Sequence, residues 1–129
     1  MTKTVTYSNP PSSVAPLGLY SQIARVQPGE LVFIAGQLAP GDFATQFNAV
    51  FKAIGDILND LETDFESVVK FTTYLVDPKD IDAFMALRKN LFPNLFSGER
   101  YPPNTLLIID RLVKEEFLIE VEAVVRMPG

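Results

Sequence analysis

The chain has 129 residues, 47% of them hydrophobic, a formal net charge of −5, and neither His nor Cys. That is the size and composition of one folded domain, 1–129, not of a disordered segment, and its scattered Lys and Arg form no basic face for nucleic acid. Without His or Cys there is no Ser-His or Cys-His pair and no Cys/His zinc site, so acid–base chemistry falls to Asp, Glu, Tyr, Lys or a held water.

The opening MTKTVTYSNPPSS has one Lys and no apolar h-region, so a cytoplasmic location is expected. Residues 2–7 set Thr4 and Thr6 against Val5 and Tyr7, which predicts an edge strand. Asn9, Pro10 and Pro11 break it. A second strand is expected over 20–26, then a hairpin turn centred on Pro28 and Gly29, then a third strand over 31–35 that is apolar on both faces.

From Asp42 the period changes. Phe43, Phe47, Val50, Phe51, Ile54, Ile57, Leu58 and Leu61 recur at steps of three and four, the pattern of an amphipathic helix with Asp42 as N-cap. Residues 68–76, VVKFTTYLV, predict a central strand. Asp77 and Pro78 open a second helix whose buried stripe is Ile81, Phe84, Leu87, Leu91 and Phe92, with Pro93 ending it.

The run 100–126 organises the rest. Pro102 and Pro103 keep its start extended. Leu106, Leu107, Ile108 and Ile109 predict a strand buried on both faces. After 114–116 the last strand alternates: Ile119, Val121, Ala123 and Val125 point one way, Leu118, Glu120, Glu122 and Val124 the other. The fold class is therefore α+β, a mixed sheet of about six strands with two helices on one face. Two helices cover one face only, so the doubly apolar strands predict an oligomer. No apolar run is long enough to span a bilayer, and no membrane partner is expected.

Three stretches carry a resemblance. Gly18-Leu19-Tyr20-Ser21-Gln22 is similar to G-P-Y-x-Q, and Ala35-Gly36-Gln37 to S-G-Q. The proline pair, Arg111-Leu112 and I-E-V-E-A at 119–123 resemble the C-terminal motif of the Rid/YjgF family, also called L-PSP endoribonuclease-like. The likeness runs from about Gly18 to Val125. It implies a chorismate-mutase-like fold, a homotrimer and small-molecule clefts between subunits; no cofactor is expected, and no D-x-D-type loop suggests a carboxylate metal site. Residue by residue it implies Glu120 as the catalytic group that positions a water, with Tyr20 and the backbone at Gly36 lining the cleft.

The sequence departs from the deaminase branch at one central point: Asn104 stands where that branch has an arginine for the substrate carboxylate. Leu106, Ala35 and Met85 stand where it has Cys, Ser and Asn. Arg100 is the candidate substitute for the missing arginine. Hydrolysis of a small imine or enamine by a Glu120-held water is the implied activity, with 2-imino acids disfavoured by Asn104. The other reading is a non-catalytic trimer that binds a metabolite or a protein. Ribonuclease activity is not expected of an acidic chain without His.

Overall fold

The computed structural model describes residues 4–129, so Thr2 and Lys3 of the first expected strand lie outside the described residues. In order the elements are β1 (Val5–Ser8), β2 (Ile23–Val26), β3 (Leu31–Gln37), α1 (Phe43–Asp60), β4 (Val68–Leu75), α2 (Ile81–Leu95), β5 (Asn104–Ile108) and β6 (Ile119–Arg126). The six strands and two helices match the expected α+β class. Hydrogen bonding divides the strands into a β1-β2 pair and a four-stranded sheet of order β3-β6-β4-β5. In the larger sheet β4 and β5 run parallel, and β6 is antiparallel to both of its neighbours.

The alternation in β6 decides which face is covered. Ile119, Val121, Ala123 and Val125 are buried in the core with Phe47, Val50, Ile54 and Leu58 of α1. Glu120, Glu122 and Val124 face away from the helices. Phe51, Phe71, Phe92 and Phe96 join in an aromatic cluster, with the Phe51 and Phe92 centroids 5.5 Å apart at an interplanar angle of 80°. Such edge-to-face pairs add to area burial.

Three sequence expectations need correction. Pro28 and Gly29 close no hairpin, because β2 pairs with β1 and β3 with β6. The 27–30 connection crosses between sheets and is tied to the end of β6 by Arg126, whose Nε donates to the Gln27 carbonyl at 3.2 Å. The second strand begins at Ile23 rather than residue 20, because the Gln22 backbone N–H is taken by Asn9 Oδ1 at 2.8 Å. Pro93 does not end α2. The helix runs to Leu95, and burial of Phe92 and Phe96 on either side offsets the lost hydrogen bond. Asp77 does cap, but what it caps is a single 3₁₀ turn, Pro78–Asp80, ahead of the helix proper.

The strand expected to be buried on both faces has one of them open in the single subunit, as an oligomer interface requires. In the single subunit β5 is an edge, paired with β4 alone, and Leu107 and Ile108 keep 40% and 41% of their surface exposed. On β3 the same holds for Leu31 at 45% and Phe33 at 72%, while Ile34 is buried. Leu31 and Phe33 lie on the face without helices, in register with Arg126 and Val124.

Gln46 locks α1 to the connection before β6. Its side chain is fully buried; Nε2 donates to the carbonyls of Gly41 and Glu116 at 2.7 and 2.9 Å, and Oε1 accepts from the Leu118 N–H at 2.8 Å. Gln46→Leu keeps the volume and orphans all three backbone groups. The Gly41 and Glu116 carbonyls belong to exposed residues that can turn to water, so at about 1–3 kcal/mol for a group left unsatisfied, urea denaturation is expected to show a loss of ~1–3 kcal/mol. An unchanged midpoint would mean water replaces the amide.

Candidate functional site

Register places the sequence-predicted residues on two sides of the sheet. Asn104 pairs with Phe71, a core residue, so its side chain lies on the helix side. Glu120 pairs with Tyr74, which bonds Glu122 on the opposite side. Within one subunit Asn104 and Glu120 therefore cannot meet.

On the helix side, α2, β5 and the loop before β2 enclose a cavity of about 320 Å³ lined by Leu17, Tyr20, Met85, Arg88, Asn104 and Leu106, among others. Asn104 Oδ1 accepts from Thr73 Oγ1 at 2.8 Å, which orients the amide. The Tyr20 hydroxyl accepts from the Leu17 N–H at 3.1 Å, so the aromatic ring and the loop are fixed together. Gly18 allows that loop to lie on α2: a Cβ there would stand 2.5 Å from Arg88 Nη2 and 2.6 Å from Met85 Cε.

Arg88 is the residue that sequence reasoning missed. It is 2% exposed, beneath the ring of Tyr20 at 5.6 Å and against Phe84 at 5.0 Å. Burial pulls its guanidinium down to about 10, which leaves it charged at neutral pH. The signal was present: Phe84, Arg88 and Phe92 stand at four-residue steps, so a helix that buries both phenylalanines buries the residue between them. Met85, the position matched to the family's asparagine, also lines the cavity. Arg100 does not. It lies against a separate hollow with Val5, Thr6, Tyr7 and Glu66.

On the other side, Glu120 packs against Gly36. A Cβ at Gly36 would collide with the Glu120 carboxylate, so the glycine makes room for it at the irregular step in the β3–β6 register. Burial first, and Glu122 second, raise the Glu120 carboxyl above its ordinary value. Glu122 is engaged instead by the Tyr74 hydroxyl, whose own titration that bond raises. Among the described residues no basic side chain pairs with Glu120, and no group of three acidic side chains is arranged for a metal.

A raised carboxyl makes the native state the better proton acceptor. Stability is then lost as pH rises from the ordinary carboxylate value through the raised one. Glu120→Gln is expected to melt higher than wild type at pH 7, with the difference vanishing below that window. A thermal midpoint below wild type at pH 7 would show that the ionised form is stabilised instead.

The helix side thus offers a cation, an amide and a phenol in an apolar hollow, but, among the described residues that line it, no carboxylate. The open side offers the carboxylate. The family model described as Endoribonuclease L-PSP matches residues 11–127. The RutC family protein slr0709 of Synechocystis is 27% identical over 124 residues, covering 88% of this chain and 90% of that protein. RidA from a Psychrobacter species is 28% identical, with a TM-score of 0.64 over 87% of this chain and 91% of its own. YyfB of Yersinia pestis, a Rid-family protein of unknown function, shares the fold at a TM-score of 0.81 and 21% identity, covering 95% of this chain and 98% of its own. TdcF of E. coli, solved with bound serine, shares it at 0.68 and 21%, covering 98% of this chain and 95% of its own. With a match that spans nearly the whole chain and neighbours of the same fold, the chain belongs to the L-PSP family of Rid and YjgF proteins.

Proposed function

We propose that the protein is a homotrimer that hydrolyses a small imine or enamine in clefts between its subunits. In each cleft the Tyr20–Asn104 cavity of one subunit binds the substrate, and Glu120 of a neighbour holds the attacking water. Water adds across the C=N bond as Glu120 takes its proton and returns it to nitrogen. The resulting carbinolamine then collapses: its C–N bond breaks, its hydroxyl proton passes by way of Glu120 to the leaving nitrogen, and a carbonyl compound and ammonia remain.

The observation that carries this reading is Glu120 itself. Among the described residues no cation pairs with it, its proton affinity is raised, and it is seated over a glycine that leaves room for it. Groups tuned in this way cluster at functional sites. The exposed row of Leu31, Phe33 and Leu107 supports the assembly, since the open face that carries Glu120 also carries this apolar surface. The serine in TdcF supports a small-molecule ligand of amino-acid size. Ribonuclease chemistry is disfavoured by the net charge of −5 and the lack of His.

The test follows release of carbonyl product from freshly generated imines, one set with a carboxylate and one without, on wild type and Glu120→Gln. Acceleration by wild type, lost in the variant, is expected. Equal rates with and without protein, despite ligand binding, would replace the hydrolase with the binding module.

A further inference from the structure

We propose that Arg88 of α2 is the anion-gripping residue of the cavity, so that the ligand is a small carboxylate with a short aliphatic tail. This rests on the cavity being the ligand site, as proposed above, and identifies what it selects. The resemblance puts the family's carboxylate-binding position at residue 104 and leaves Arg100 as the candidate substitute. The structure has an amide at the first and puts the second in another hollow. It brings a guanidinium to the cavity from a different element.

Arg88 is 2% exposed, yet its Nε has no partner, and Nη2 reaches only the Met85 sulfur at 3.1 Å. Sulfur is a weak acceptor, and a guanidinium has five N–H donors to satisfy. The rings of Phe84 and Tyr20 stabilise the cation but accept none of those donors in the plane of the fork. Among the described residues no carboxylate stands within ion-pair distance of it. A buried, charged donor beside an open cavity calls for an anionic ligand, and a planar fork suits a carboxylate. The Asn104 amide, already oriented by Thr73, supplies a further polar contact. Leu17, Met85 and Leu106 make the remaining wall apolar, which suits a short hydrocarbon tail. The cavity of about 320 Å³ is at the small end of ligand sites, about 300–1,000 Å³.

Calorimetric titration with 2-oxobutanoate and its neutral amide, 2-oxobutanamide, tests the assignment on the intact oligomer. Wild type is expected to prefer the acid. Arg88→Met is expected to bind the acid about ten- to a hundredfold more weakly and the amide unchanged. Arg88→Lys, which keeps the charge without the fork, is expected to fall between them and guards against loss through misfolding. Equal binding of acid and amide by wild type, or unchanged acid binding in Arg88→Met, would overturn the inference while leaving the hydrolase reading intact. Acid preference with no imine hydrolysis would do the reverse.

Discussion

Phe33→Asp is expected to yield a folded monomer of 14.3 kDa with no hydrolytic activity. Phe33 is 72% exposed in the isolated subunit, so the change leaves the core of that subunit untouched. In a symmetric assembly it is felt at every copy of the interface. Each interface loses a large apolar contact, about 1.5–3 kcal/mol, and gains a carboxylate without a partner, at a cost of several kcal/mol more. That is enough to move the assembly equilibrium by many orders of magnitude. Sedimentation equilibrium reads the mass and circular dichroism the fold. Assembly that persists in the variant would place the interface elsewhere on the molecule.

Gly36→Val is expected to lower the rate of imine hydrolysis by about a hundredfold, the size of effect that an ångström of misplacement produces. Valine suits a strand, so β3 itself should form. Its side chain, however, occupies the space of the Glu120 carboxylate, which must swing away. The Tyr20–Arg88 cavity of the same subunit, on the far side of the sheet, keeps its own lining. Wild-type turnover in this variant would mean that the position of Glu120 does not matter to the chemistry.

The parts of this fold that were legible in the sequence are those governed by periodicity. The α1 stripe, the Asp42 cap and the two-residue alternation of β6 each follow from local geometry, and each is present as read. Pairing partners were less legible. Pro28 and Gly29 have the chemistry of a hairpin, but Arg126, about a hundred residues later, holds that turn for another purpose. No local pattern encodes such a contact. Tyr20 and Asn104 were found through motifs and share a cavity, whereas Arg100, chosen for its nearness in sequence to Asn104, does not join them. Arg88 was overlooked because a charged residue inside an apolar stripe reads as an interruption. Its position between Phe84 and Phe92 shows the opposite, that the stripe buries the charge.

The central claim is that the site combines groups from two subunits: Arg88 with Asn104 on the helix side of one, Glu120 on the open side of the next. Complementation tests it most directly. Assayed on a carboxylate-bearing imine well below saturation, Arg88→Met is expected to fall about ten- to a hundredfold as a pure protein, and Glu120→Gln to be inactive. Unfolded together in equal amounts and refolded, they should form mixed assemblies in which roughly a quarter of the clefts pair an intact Arg88 with an intact Glu120, by random assortment within a symmetric ring. Recovery of about that fraction of wild-type hydrolysis is the predicted result. No recovery, with mixed assemblies confirmed by native mass spectrometry, would contradict the shared site.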